Sequence, residues 1–416
     1  MSGEPTAPTR AVGQNGTVLR ASHVSVEYGG AVPTRAVRDV SIELYRGEML
    51  GIAGESGCGK STLAYALTRL LRPPAVMTEG QVLFYGRDGA GPVDIMGLEP
   101  EALRRFRWTV VSMVFQGAMN SLNPVTSLRR QFSDIFEAHV PEMDGDARDQ
   151  RSRQLLEMVG IDPSRLSGFP HELSGGMRQR VGIAMALALQ PEIVIMDEPT
   201  TALDVVVQRE ILLEIARLRR ELGFSVIFIT HDLPMLVDLS DRLAVMYAGE
   251  IVERAPAEWV GGRPAHPYTL GLQAACPDLL GERRALQGIP GSPPDLRQDL
   301  PGCAFAPRCP YAFAPCASAH PVLSPLAPPA GVKPELDAPG GSYAAKALDR
   351  RPGEGPTRAS MLDDWRVACH LHDRTANPAG PPAELSGDPL GLGGRERSLV
   401  PTNLGAAPAG SPLAEA

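Results

Sequence analysis

Residues 54–61, GESGCGKS, fit the pattern G-x-x-x-x-G-K-[ST] in full. Glycines at 54, 57 and 59 allow backbone angles and close approaches that side chains forbid, so successive N–H groups can surround phosphate oxygens. Glu55, Ser56 and Cys58 supply the intervening backbone, Lys60 is placed to reach the outer phosphates, and the hydroxyl of Ser61, followed by Thr62, to ligate Mg²⁺. The alternative is a glycine-rich turn that merely fits the pattern. Composition speaks against it. Nearly all of the 40 basic residues are arginine, and the only lysine in residues 1–332 is Lys60. That position calls for a compact ammonium, which the planar arginine fork does not imitate.

A second chemical element lies in IVIMDEP, residues 193–199. Four apolar residues suit a buried strand, and at its end Asp197 is placed to hold the Mg²⁺ shell and Glu198 to polarise an attacking water. Two neighbouring carboxylates can also be solvated strand caps; the phosphate loop upstream favours the catalytic reading.

These groups need an α/β scaffold. The segments LRASHVSVEY, VRDVSIELYRG and EMLGIAG are rich in Val, Ile and aromatics with turn residues between them, which predicts strands. The strand at 49–53 runs into the glycine-rich loop, and STLAYALTRLLR then has apolar residues at helical spacing. EIVIMDEP and FSVIFITHD are short apolar runs separated by the helical pattern VQREILLEIARLRREL. Strands alternating with helices predict a parallel sheet. Residues 1–17 read as a flexible leader. After about Ala257 proline and glycine become frequent and the periods fade, which predicts a smaller loop-rich region over 258–372. Within it 318–365 reads as a flexible insertion, and 373–416 as a disordered tail, because so few apolar groups cannot offset the ordering entropy.

The whole chain has 416 residues, 43% hydrophobic and 21% charged, with a formal net charge of −8. With 40 basic against 48 acidic residues, attachment to nucleic acid by phosphate neutralisation is not expected. No run approaches the ~18 apolar residues of a spanning helix, and Met1 to Arg20 lacks a signal-peptide layout, so a cytosolic location is expected. Six cysteines are too few for a disulfide scaffold.

LSGGMRQR, residues 173–180, resembles the signature of ATP-binding cassette (ABC) proteins. With GESGCGKS, VFQG, IVIMDEP, TALD and THD it completes that family's ordered set over roughly 18–257. From the residues alone, Ser174, Gly175 and Gly176 look like a further anion-binding element before an apolar helix, or an ordinary helix cap. The resemblance implies a P-loop ATPase with a mixed sheet and a helical subdomain, in which this element faces the ATP held by a partner's loop. It further implies that Tyr28 stacks on adenine, that Gln116 senses the γ-phosphate and Mg²⁺, that Asp204 shapes the dimer seam, and that His231 contacts the γ-phosphate. Gly117 follows Gln116 where relatives often carry Asp, a departure expected to loosen that loop.

SLNPVTS, FPHELSGGMRQRVGIAMALAL, DEPTTALDVVVQ, RLAVMYAGEIVE, AHPYTLGL and IPGSPPDL are similar to the ATP-binding subunits of bacterial oligopeptide/dipeptide importers, a group that includes nickel and some oligosaccharide systems. The resemblance is to the first of two paired ATPase subunits. It implies ATP hydrolysis at the cytoplasmic side of the membrane, beside a second ATPase subunit, two permeases and an extracytoplasmic solute-binding protein. A non-transport ABC ATPase would want a second cassette, a coiled-coil insertion or a basic face, and the sequence shows none. The same group carries a cysteine-bearing extension, here GCAFAPRCPYAFAPC and VACHL. Cys303, Cys309, Cys316 and Cys369 are therefore candidates for a [4Fe–4S] cluster, for tetrahedral zinc, or for free thiols; their spacing matches neither ferredoxin runs nor zinc fingers.

Overall fold

The computed structural model describes residues 16–87, 91–117, 121–201, 203–275, 288–326, 364–382 and 385. Strands β1 (Thr17–Tyr28) and β2 (Thr34–Tyr45) form a hairpin, β3 (Met49–Ala53) runs into α1 (Lys60–Leu67), and β4 (Ala75–Tyr85) and β5 (Pro92–Asp94) return. Next come α2 (Pro100–Thr109), β6 (Val111–Val114), and the helices α3 (Leu128–His139), α4 (Gly145–Met158) and α5 (Gly175–Ala186). The chain then alternates through β7 (Ile193–Asp197), α6 (Val205–Leu222), β8 (Ser225–Ile229), α7 (Leu233–Leu239), β9 (Arg242–Tyr247) and β10 (Glu250–Pro256). Beyond these lie α8 (Ala257–Gly262), α9 (Pro267–Ala274), α10 (Ala314–Ser318) and the two-residue strands β11 (Ser324–Pro325) and β12 (Arg366–Val367).

Two sheets result. One is antiparallel in the order β2-β1-β4-β5; the other runs β11-β12-β10-β9-β3-β8-β7-β6. The latter is parallel from β9 to β6 and antiparallel at its β10 end, as expected for a mixed sheet. Its central strands are buried on both faces, so they read as continuous apolar runs. Alternation nevertheless sorts their side chains. Leu50, Ile52, Ile193, Ile195, Ile227 and Ile229 join the core shared with α1 and the antiparallel sheet. Their neighbours Met49, Val194, Met196, Val226 and Phe228 join the core beneath the helices.

The apolar pattern STLAYALTRLLR overestimates α1, which stops at Leu67. The Thr68 hydroxyl donates to the Ala64 carbonyl at 2.9 Å, and Arg69 turns left-handed at φ 54°. A hydroxyl and a reversed backbone end the helix where periodicity alone would continue it.

The cysteine-bearing region shares the helical-side core through Trp259, Phe305, Trp365 and Val367. Of the stretch read as a flexible insertion, 327–363 lies outside the described residues. Its ends are firmly placed. Ser324 pairs with Val367, and Trp365 packs edge-on against Trp259 with centroids 4.9 Å apart. The composition-based expectation for 373–416 also needs correction at its start. Residues 373–382 are placed, and Leu385 is fully buried beside Leu270 and Leu371. A single leucine next to an existing apolar surface needs no core of its own. The rest of that tail, like residues 1–15, lies outside the described residues.

Candidate nucleotide site

The GESGCGKS loop leaves β3 and ends on α1, whose N-cap is Gly59. No side chain caps this helix and no acid occupies its first turn, so its N–H groups remain available to an anion. Gly59 has φ 105°, and a Cβ there would lie 2.2 Å from the Ala36 carbonyl oxygen. Gly57 has φ 80° but meets nothing within 4 Å. Gly59→Ala is therefore expected to cost at least ~2 kcal/mol in chemical denaturation, and Gly57→Ala only ~1 kcal/mol, because the first adds a backbone clash to the left-handed penalty.

Lys60 is buried, and its ammonium donates to the carbonyls of Gly54 at 2.8 Å and Glu55 at 2.9 Å. Cys58 is also buried; its thiol is pushed up by desolvation, with Lys60 pulling the other way. Ser56 and Gly57 are exposed at the loop tip. The Tyr28 hydroxyl lies 3.0 Å from the Thr62 hydroxyl, which brings the end of β1 to the first turn of α1.

At the end of β7, Asp197 is fully buried and both carboxylate oxygens lack a hydrogen-bond partner. Burial raises its pKa, with neighbouring Glu198 adding to the rise, while the Ser61 hydroxyl and Lys60 counter it. A buried, unsatisfied carboxylate beside a hydroxyl is a donor set that suits a hard divalent cation. Glu198 follows in a left-handed conformation, φ 45°, which an acidic residue adopts at a cost. Its side chain collects residues from two other segments and from its own turn. Gln116 Nε2 donates to Oε2 at 3.0 Å, Thr201 Oγ1 donates to the same oxygen at 3.1 Å, and His231 Nδ1 lies 3.2 Å from Oε1. His231 keeps 64% of its side chain exposed, so its ring opens outward. Gly117, φ 69°, is the left-handed residue that turns the chain after Gln116; residues 118–120 lie outside the described residues.

Ser174, Gly175, Gly176 and Asp204 are not part of this convergence. Ser174 caps α5 by accepting from the Met177 N–H at 3.3 Å, and Asp204 caps α6 by accepting from Val207 at 3.0 Å. Gly176 allows the two helices to approach, since a Cβ there would meet Val207 at 2.6 Å. These helices pack into the core on the other side of the sheet from α1.

The four late cysteines come from separate turns yet lie within one another's electrostatic reach. Burial pushes the thiols of Cys309 and Cys369 up to about 12. Among the described residues no three His, Cys, Asp or Glu side chains converge to hold a metal ion. Neither the [4Fe–4S] expectation nor the zinc alternative therefore finds a preformed site among the described residues.

Residues 37–201 match the family model for the ABC transporter, and residues 252–316 that for the oligopeptide/dipeptide transporter C-terminal region. A probable peptide ABC transporter ATP-binding protein of Sinorhizobium fredii is 44% identical over 305 residues, covering 72% of this chain and 89% of the relative. The chain belongs to the ABC transporter ATP-binding family. This ABC protein is also 44% identical over 291 residues to the oligopeptide transport ATP-binding protein OppD of Bacillus subtilis, covering 69% of the chain and 78% of that relative. Among solved structures, the dimeric bacterial ABC transporter cassette MJ0796 overlays with a TM-score of 0.51 at 28% identity, covering 57% of this chain and 98% of the other. The cassette was also solved as a post-hydrolysis dimer bound to ADP and phosphate, at a TM-score of 0.50.

Three residues of the site have no counterpart in the sequence reading: Thr201, Tyr268 and Arg308. Tyr268 accepts the Glu55 N–H at 2.8 Å, and Arg308 pairs with the Glu55 carboxylate. Arg308 sits in the stretch considered only for its cysteines, and no spacing rule links it to a loop 253 residues away.

Proposed function

We propose that this ABC protein binds and hydrolyses Mg²⁺·ATP to energise peptide import, as the first of two paired ATPase subunits at the cytoplasmic side of the membrane. The observation that carries the proposal is the convergence of Gln116, Thr201 and His231 on Glu198, beside a phosphate loop with open helix N–H groups. Lys60 and the loop N–H groups hold the phosphates. Asp197, Ser61 and Gln116 would hold Mg²⁺, which supplies neutralisation of phosphate charge. Glu198 orients and polarises water, Gln116 and Thr201 fix its carboxylate, and His231 faces the outer phosphate. Tyr28 receives the adenine. Such a reaction is mostly positioning and charge stabilisation, with little covalent work for the protein.

Ser174, Gly175 and Gly176 lie away from this chain's own loop, which suits their presentation to a second ATPase subunit, with Asp204 at the seam. Gln116 and its loop link the site to the two permeases, and the solute-binding protein delivers the cargo. Purified chain should retain labelled Mg²⁺·ATP, and Lys60→Ala should not; retention by both would overturn the assignment of the loop. ATPase stimulation of the assembled importer by peptides, against nickel or oligosaccharides, identifies the cargo. The same reading assigns Cys303, Cys309, Cys316 and Cys369 to a [4Fe–4S] cluster rather than to one zinc. Its support is the resemblance of the extension and the mutual electrostatic reach of the four cysteines, one buried and three half-buried. Anaerobic purification followed by iron and sulfide analysis tests it; iron-free protein containing one zinc would overturn it.

A further inference from the structure

Glu55 is the one acidic residue within GESGCGKS, a loop whose task is to receive a polyanion. An unscreened carboxylate there would repel a nucleotide's phosphates. The structure meets this from the cysteine-bearing region. Arg308 grips Glu55 with both fork nitrogens, Nη1 to Oε2 at 2.6 Å and Nη2 to Oε1 at 2.9 Å. This guanidinium is itself built in. Its side chain is only 4% exposed, Nε donates to the Pro290 carbonyl at 2.8 Å, and Nη1 lies 3.3 Å from the Tyr247 hydroxyl. Tyr247, Tyr268 and Phe305 pack on one another around it, with centroids 4.6 to 5.4 Å apart. Tyr268 meanwhile takes the Glu55 N–H, and the Glu55 carbonyl accepts from Lys60. Both the charge of Glu55 and the backbone that seats Lys60 are thus held from a segment more than two hundred residues downstream.

We propose that Arg308 is a positioning residue of the nucleotide site: it neutralises Glu55 and locks the phosphate loop, so that the cysteine-bearing region is required for tight Mg²⁺·ATP binding. The proposal rests on the nucleotide-binding reading above. Because Arg308 lies in the turn between Cys303 and Cys309, the geometry of that turn is transmitted to the loop through one side chain.

The test is Mg²⁺·ATP affinity of the full chain, measured with a fluorescent ATP analogue and by competition with ATP, together with KM and kcat in the assembled importer. Arg308→Gln should raise Kd and KM about tenfold, the loss expected when one partner of a partly buried charged pair is removed, with the change falling on KM rather than kcat. Adding Glu55→Gln should restore most of the affinity, because the uncompensated carboxylate is gone. A purely structural role would instead make the double variant no better than Arg308→Gln. Unchanged Kd in folded Arg308→Gln, or no recovery in the double variant, overturns the proposal. If Arg308→Gln does not fold, Arg308→Lys serves: it keeps the charge but loses the two-pronged grip, and should raise Kd about threefold; no rise overturns the proposal. Failure of the wild-type chain to bind, or retained binding in Lys60→Ala, would mark failure of the nucleotide reading itself.

Discussion

Glu198→Gln should reduce ATP turnover by the assembled complex by about 10²- to 10⁴-fold while leaving Mg²⁺·ATP retention in place. The amide keeps the size of the carboxylate and can still meet Gln116, Thr201 and His231, but it cannot take or polarise a proton at that position. The left-handed backbone of Glu198 is a local cost held by the surrounding structure: its N–H donates to the Ile229 carbonyl at 2.9 Å, and Asp197 before it is locked into β7. Strain retained at one non-glycine position, with three side chains converging on it, is the pattern of a site organised for chemistry. Steady-state phosphate release beside a nucleotide-binding assay checks the prediction, and equal turnover in wild type and variant would reject Glu198 as the water-polarising group.

The largest stability effect is expected at Arg242. Its side chain is 1% exposed at the first position of β9, and it pairs with Glu48, 0% exposed, at 2.5 Å. It also donates to the Glu43 carbonyl at 2.6 Å, pairs with Asp364, and lies 4.7 Å from the centre of the Tyr45 ring. Arg242→Ala strands a buried carboxylate and should cost about 3–5 kcal/mol in denaturant unfolding. Combining it with Glu48→Gln should recover part of that loss, since the penalty is the unpaired charge more than the absent contact. Asp364 also binds Arg254, so this network ties the β10 end of the sheet to the point where the chain re-enters after residues 327–363. A loss below ~1 kcal/mol for Arg242→Ala would show that the network contributes little.

The two predictions differ in how far they were legible in the primary structure. Glu198 stands directly after an apolar strand and next to Asp197, and both belong to a pattern whose chemistry is local. Arg242 carries no such mark. It reads as an ordinary polar residue opening a strand, and its partners lie 194 and 122 residues away. Likewise, the apolar tract 61–72 promised a helix longer than the chain forms, because the Thr68 hydroxyl and the reversed Arg69 backbone act below the resolution of a hydrophobic period.

Local order along the polymer was enough for the phosphate loop, the carboxylate pair, the parallel strands and the ABC-type motifs, because each depends on neighbours a few residues apart and on the two- and 3.6-residue periods of backbone geometry. Folding alone brought Gln116 and His231 onto Glu198 and set Arg308 against Glu55. Those contacts join segments whose separation along the chain carries no periodic signal. They exist only because burying both faces of one sheet forces distant turns to share its C-terminal edge.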